Sequence, residues 1–218
     1  KKQDSVDDSD TVKADGYYSA TRIRFSDDKV PESLFQETID RILCRTKENR
    51  KIYEAIIKKF DEQPIWSTNE LILTLRTSVP IELKHMGFFR KVAYKFFDGP
   101  FMNLWIKKGY DPRINRSAAI YQVVPVRLKH KIRGFDSSRG NELGNVYVNT
   151  NSIPTLMCIL YQYKNIDLAE AKQLLDNVIG EGDTCSYEDG WLLPGTTRKC
   201  SEIITRQIVH NYNSQFKD

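Results

Sequence analysis

The sequence predicts an α+β fold that is mainly helical, with one domain followed by a packed companion domain. Segments with the apolar spacing of amphipathic helices recur along the 218 residues, and short β-prone stretches interrupt them. Apolar side chains make up 40% of the chain, which is enough to build a sizeable core. We therefore expect a polar N-terminal segment (1–30), a first domain with a leading helix (31–128) and a largely helical companion domain (129–218).

The N-terminal segment is acidic and polar. Residues 1–16 include five aspartates, and this composition predicts disorder because it cannot bury enough apolar surface to fold. Residues 17–25 alternate between polar and β-prone side chains, so we expect a short strand there. A leading helix is predicted over residues 32–45.

Two amphipathic helices follow, separated by an extended break. The first is predicted over 47–61 and the second, shorter one over 68–75, with the break at 62–66. Ser67 is expected to cap the second helix, because Glu70 follows it by three residues as in a capping box.

A longer helix is predicted over residues 80–97, and a β-hairpin after it. A proline suits the first helical turn, and the Asp-Gly-Pro sequence at 98–100 is a stop signal. Phenylalanine, valine and alanine recur at helical spacing between positions 89 and 97. The strands of the hairpin are expected at 103–107 and 119–124, joined by a polar loop.

The predicted elements follow one another in the order of a winged helix: helix, break, short helix, long helix, strand, loop, strand. In this helix-turn-helix variant, the recognition helix enters the major groove of DNA and the hairpin, or wing, contacts the backbone or an adjacent groove. Winged helices also serve as protein-interaction modules. The order of elements therefore leaves DNA binding and protein binding equally open.

Positive charge is concentrated in the middle of the chain. Residues 81–133 carry twelve cations against three carboxylates, although the net charge of the whole chain is only +4. This segregation predicts a face that meets a polyanion. The predicted DNA contacts are Lys84, Arg90, Lys91, Lys95, Lys107, Lys108, Tyr110, Arg113, Arg116, Lys129, Lys131 and Arg133.

Individual roles within this set stay open. Arg90 and Lys91 are candidates for reading bases, and Asn115 could either contact adenine or shape a turn. Lys129, Lys131 and Arg133 lie in a glycine-rich connector that acts as an electrostatic arm, resembles a nuclear-import patch or only keeps the surface solvated.

The companion domain is predicted to be built mainly from helices. We expect a short strand at 146–148, a buried helix at 154–164, a helix at 168–179 and a last helix at 196–212. Trp66, Trp105 and Trp191 are expected to anchor the core rather than to stack on bases.

Catalytic and metal-binding patterns are missing from the sequence. Cys185, Cys200 and His210 do not have zinc-site spacing, and neither a nucleophile elbow, a phosphate loop nor a metalloprotease motif occurs. We therefore expect no enzymatic activity, no metal, no cofactor and no small-molecule substrate. Four scattered cysteines predict free thiols in a reducing compartment, and no apolar run is long enough for a membrane span.

Three stretches resemble one family. They are LWIKKGYDPR at 104–113, continuing to IYQV at 120–123; PIWS at 64–67; and CSYEDGWLLP at 185–194. The sequence is similar in these stretches to the DNA-binding subunit of transcription factor IIIC (TFIIIC), the general factor of RNA polymerase III, also called its fifth subunit, of the tau-A lobe.

The resemblance implies the C-terminal, DNA-binding half of that subunit, a winged helix with a companion domain. It also implies a nuclear protein that contacts double-stranded DNA at the A-box of transfer-RNA genes and assembles with other TFIIIC subunits. The alternative is a winged-helix scaffold that mainly holds other subunits, with an incidental basic patch. Salt-dependent binding to duplex DNA distinguishes the two hypotheses.

Overall fold

The computed structural model describes residues 22–32, 46–82, 85–128, 132, 134–176 and 184–216. The predicted disorder at 1–16, the first part of the strand predicted at 17–25 and nearly all of the leading helix predicted at 32–45 lie outside these residues. None of the helices in the described ranges combines the length and the apolar composition that a membrane span requires.

The first two described helices agree with the prediction. Helix α1 spans Lys47–Glu62 and helix α2 spans Thr68–Arg76, and the two-residue strand β2, Ile65–Trp66, lies between them. The Ser67 hydroxyl accepts a hydrogen bond from the backbone N–H of Glu70 at 3.2 Å, so the predicted cap is present.

The long helix predicted at 80–97 is wrong in its second half. Helix α3 spans only Met86–Val92, and the chain continues directly as strand β3, Ala93–Phe96. The aromatic run fits helical spacing and strand alternation equally well. The segment forms a strand because it pairs with a neighbour on each side. Strand β1 (Arg22–Ile23) is parallel to it and strand β4 (Trp105–Lys107) is antiparallel.

The predicted pairing of the hairpin is also wrong. Strand β4 pairs with β3 and β2, so the first sheet has the order β1-β3-β4-β2. The segment Arg116–Tyr121 is a 3-10 helix, and strand β5, Val123–Arg127, leaves for a second sheet. The hairpin that the structure contains is therefore β3–β4, with its loop at residues 97–104.

The helix predicted at 154–164 is wrong as well. Strand β6, Cys158–Gln162, occupies this segment and pairs antiparallel with β5. An apolar run of this length is compatible with a buried strand and with a buried helix. Pairing with β5 determines that it forms a strand.

Two helices complete the second half. Helix α4 spans Ala169–Asp176, within the predicted helix, and helix α5 spans Thr196–Phe216, four residues beyond its predicted end. The strand predicted at 146–148 is reduced to an isolated bridge between Val148 and Ile166.

The mixture of helices and sheets confirms the predicted α+β class. One core lies between α1, α2, α3 and the first sheet, and another lies between the β5–β6 sheet and α5. The domain boundary predicted at residue 128 stays a prediction. Val124 and Val126 of β5 precede it, and both are fully buried in the core of the second half.

Candidate nucleic-acid interface

The β3–β4 hairpin is fixed to the end of strand β1 by its loop. The carboxylate of Asp98 accepts a hydrogen bond from the backbone N–H of Phe25 at 2.7 Å. Gly99 has a φ of +75°, and a Cβ there would lie 2.8 Å from the ring of Phe25. The close approach of Phe25 therefore depends on glycine at this turn.

Lys95 lies at the centre of the candidate interface. Its ammonium group donates hydrogen bonds to the hydroxyl of Thr68 at 3.2 Å and to the carbonyl of Asn103 at 3.0 Å. It also lies 4.2 Å from the ring centroid of Trp105. The first residue of α2, the hairpin loop and strand β4 thus hold this cation in one place.

Two arginines converge on Lys95 from other elements. Arg22 of β1 is the register partner of Lys95, so the two side chains leave the same face of the sheet. Arg90 lies in the last turn of α3. Burial lowers the pKa of Lys95 to about 8, and the charges of Arg22 and Arg90 contribute to this shift.

A second pair of cations lies at the other end of β4. The backbone N–H of Lys108 donates to the carbonyl of Val92, the last residue of α3, at 3.0 Å. Burial lowers the pKa of Lys108, and the nearby charge of Lys91 lowers it further. The hairpin therefore brings a lysine next to the basic turn of α3.

Two further predicted DNA contacts form ion pairs with aspartates of the chain. Lys107 forms an ion pair with Asp61 at 2.7 Å. Arg113 pairs with Asp111 at 2.8 Å and donates to the carbonyls of Phe25 and Asp27. The hydrogen bond that Arg113 donates to Asp111 raises the pKa of Arg113. Contact of these two cations with DNA stays a prediction, and the structure gives both of them a local role.

The remaining predicted contacts are placed as follows. Tyr110 is half-buried, burial raises the pKa of its hydroxyl, and its carbonyl accepts a hydrogen bond from Tyr94 at 2.8 Å. Arg116 is exposed at the start of the 3-10 helix. The amide of Asn115 donates to the carbonyl of Asp111 at 2.6 Å, which is the role expected in a turn. Four residues lie outside the described part of the chain: Lys84, Lys129, Lys131 and Arg133.

Arg22 is the residue that the sequence analysis missed. Its strand was expected, but its neighbour was not, because residues 93–97 were predicted to be helical. The alternation of side chains around Arg22 indicated a strand. It could place Arg22 beside Lys95 only if residues 93–96 were also known to form a strand.

The stretches that resemble the family meet at the junction of the two halves. The indole N–H of Trp191 donates to the carbonyl of Pro112 at 2.8 Å. The side chain of Gln122 accepts from the backbone N–H of Trp191 at 2.8 Å and donates to the carbonyl of Asp189 at 2.9 Å. Gly190 has a φ of +60°, and a Cβ there would lie 2.5 Å from the Gln122 amide.

The PIWS stretch lies at the same junction. The backbone N–H of Ser67 donates to the side chain of Gln162 at 3.3 Å. Lys164 pairs with Glu70 at 2.5 Å and lies 5.2 Å from the ring centroid of Trp66. All three stretches thus contribute to the contact between the halves. The cationic cluster borders this junction, because Lys95 lines one pocket with Ser67 and with Cys158 and Leu160 of β6.

The chemistry of the described residues offers little for a metal or a nucleophile. They contain no group of three histidine, cysteine or acidic side chains that could hold a metal ion. Cys158, Cys185 and Cys200 are free thiols. Burial raises the pKa of Cys185 to about 12 and that of Cys200 to about 11, so neither thiol is ionised near neutral pH.

Comparisons with known proteins agree with the resemblance. The chain is 25% identical over 251 residues to general transcription factor 3C polypeptide 5 of Homo sapiens, covering 89% of this chain and 48% of that protein. It is 25% identical over 164 residues to transcription factor tau subunit sfc1 of Schizosaccharomyces pombe, covering 75% of this chain and 34% of that protein. The chain spans about half the length of the first of these relatives.

A solved structure shares the fold. The chain matches the structure titled Sfc1-DBD with a TM-score of 0.64, at 19% sequence identity, over 86% of each chain. The family model described as "RNA polymerase III transcription factor (TF)IIIC subunit HTH domain" matches residues 4–127, which is more than half of the chain. The chain therefore belongs to the Tau95 family of TFIIIC subunits.

Proposed function

We propose that this chain is a non-catalytic module that binds duplex DNA within TFIIIC at promoters transcribed by RNA polymerase III. In this proposal the first half is a winged helix, with α3 as the recognition helix and β3–β4 as the wing. The element order α1-β2-α2-α3-β3-β4 supports this assignment, as does the pairing of β4 with both β2 and β3.

The observation that carries the proposal is the convergence of cations on α3 and the hairpin. Lys95 with Arg22 and Arg90 forms one cluster, and Lys91 with Lys108 forms another. Together they replace the longer basic helix expected from the sequence. Cations gathered on a helix and an adjacent hairpin are the side chains that contact the phosphates of a duplex and position a protein on it.

The finer parts of the proposal come from the family resemblance. They are contact with the A-box of transfer-RNA-type genes, assembly with other TFIIIC subunits and a nuclear location. The name of the human relative, a general transcription factor polypeptide, supports a role in transcription.

The test is the salt dependence of binding to a labelled duplex, measured by fluorescence anisotropy. If each of the five clustered cations meets a different phosphate, the logarithm of the binding constant falls with the logarithm of salt at a slope of about −4.5, and the slope is shallower where cations share a phosphate. A duplex that carries an A-box and a scrambled duplex of equal length separate sequence preference from general affinity. The absence of binding at low salt would contradict the proposal and favour the protein-interaction scaffold.

Arg198→Gln provides a matched control. Arg198 is an exposed cation of α5 that pairs with Glu202, so its replacement removes one positive charge away from α3 and the hairpin. This variant is expected to keep the slope of the unchanged protein.

A further inference from the structure

We propose that Arg22, Arg90 and Lys95 form a seat for one phosphate group, in which strand β1 completes a site that the helix-turn-helix elements leave open. The inference rests on the proposed function, because the DNA backbone would supply the phosphate. It adds a residue, Arg22, that lies outside α1–α3 and the β3–β4 hairpin.

The three side chains reach this place from three separate elements. Register pairing puts Arg22 beside Lys95 on one face of the sheet, and Arg90 approaches from α3. Thr68 and Asn103 accept two of the three ammonium hydrogens of Lys95, which leaves one donor for a ligand.

Arg90 supplies an independent sign that a ligand belongs here. Its Nε atom is buried and has no hydrogen-bond partner among the described residues. Leaving a charged donor buried without an acceptor is unfavourable, so an acceptor bound beside Arg90 would be stabilising. Guanidinium groups are suited to phosphate because their N–H groups form a planar fork.

The electrostatics select an anion. The charged groups that shift the pKa of Lys95 are both cations, Arg22 and Arg90, and both lower it. Like charges held together in this way destabilise one another until an anion neutralises them. A phosphate group would relieve the repulsion and supply acceptors to Lys95 and to Arg90 at the same time.

This arrangement couples phosphate binding to protonation of Lys95. The pKa of Lys95 is about 8 in the free protein, and a bound phosphate would raise it. Above about pH 8 the lysine is mostly neutral in the free protein, so it must gain a proton when phosphate binds. The affinity for the duplex should therefore fall by about tenfold between about pH 7 and pH 9. The charged groups around Lys95 are Arg22 and Arg90, and its polar and aromatic neighbours are Thr68, Asn103 and Trp105.

The first arm of the test measures binding of a duplex to the unchanged protein and to Arg22→Gln at constant pH. Because Arg22, Arg90 and Lys95 share one phosphate, loss of Arg22 should weaken binding to all sequences alike and lower the magnitude of the salt slope by no more than about 0.9, the value for one phosphate. Arg198→Gln serves as the charge-matched control. An unchanged affinity and slope in Arg22→Gln would overturn the phosphate seat and leave the proposed function intact. Salt-independent binding by the unchanged protein would contradict the proposed function itself.

The second arm uses Lys95→Arg, which keeps the charge and removes the titration. Its affinity should fall less between about pH 7 and pH 9 than that of the unchanged protein, and Lys108, whose pKa burial also lowers, accounts for any fall that remains. Identical pH profiles would overturn the assignment of Lys95. This arm does not depend on a charge-removing variant that could unfold the hairpin.

The third arm tests whether free phosphate reaches the same seat. Inorganic phosphate is titrated against the protein–duplex complex, with sodium chloride at equal ionic strength as the reference. Competition beyond that of chloride in the unchanged protein, which disappears in Arg22→Gln, supports a seat for a single phosphate. Equal effects of phosphate and chloride on both proteins would contradict it.

Discussion

Replacing Lys164 by methionine should destabilise the protein by breaking a buried ion pair at the junction of its two halves. The ammonium group of Lys164 lies 2.5 Å from Oε1 of Glu70 and donates to the side chain of Gln63 at 2.9 Å. Glu70 is 4% exposed, and its other oxygen, Oε2, has no hydrogen-bond partner among the described residues. Without Lys164, the carboxylate would remain buried and uncompensated.

The structure sets the size of the effect. Removing one partner of a buried pair costs about 3–5 kcal/mol. The side chain of Lys164 is 19% exposed, so water partly replaces it and the lower end, about 3 kcal/mol, is expected. For a chain of this size that loss lowers Tm by roughly 6–12 °C. Replacing both partners, with Glu70→Leu added to Lys164→Met, should return the stability to within about 1 kcal/mol of the original.

Urea unfolding of the two single variants, the double variant and the unchanged protein measures the pair as a double-mutant cycle. The cycle separates the interaction between the side chains from the burial of each one. A loss below about 1 kcal/mol in Lys164→Met would refute the argument, because Glu70 would then have another source of compensation. A double variant as unstable as Lys164→Met would refute it as well.

Three further predictions concern turns and caps. Gly190→Ala should cost about 2 kcal/mol or more by urea unfolding, because its φ is positive and the new Cβ would meet Gln122; unchanged stability would show that Gln122 moves aside. Ser67→Ala should cost about 1 kcal/mol in a thermal melt through loss of the helix cap, and an unaltered Tm would contradict this. Arg113→Lys should cost about 1–2 kcal/mol because lysine cannot form the fork to Asp111. Unchanged stability with weaker DNA binding would instead support Arg113 as a DNA contact.

The elements that the sequence predicted well are those defined by local signals. Helices α1, α2 and α5 follow from apolar spacing, and Ser67 with Glu70 defines the start of α2. Side chains near in sequence determine these features, so no knowledge of distant partners is needed.

The elements that the sequence predicted wrongly are those defined by distant partners. Strand β3 depends on β1, about seventy residues earlier, and strand β6 on β5, about thirty-five residues earlier. Apolar runs in both places fit a buried helix equally well, and only the pairing distinguishes the two outcomes.

The candidate site was predictable in its composition and not in its geometry. The excess of cations between residues 81 and 133 is visible in the sequence, and Arg90, Lys91, Lys95 and Lys108 come from it. The pairing of Lys107 with Asp61 could not be seen, because it depends on tertiary contacts. For the same reason Arg22 was missed, although it is the register partner of Lys95.

The salt dependence of duplex binding tests the central claim most directly, because that claim places clustered cations of α3, β1 and the hairpin against DNA phosphates. The account predicts a steep negative slope for the unchanged protein and a slope shallower by about 0.9 for the double variant Arg22→Gln, Lys95→Met, which removes two of the three cations that share one phosphate. A slope of zero in the unchanged protein, or equal slopes in the two proteins, would contradict it.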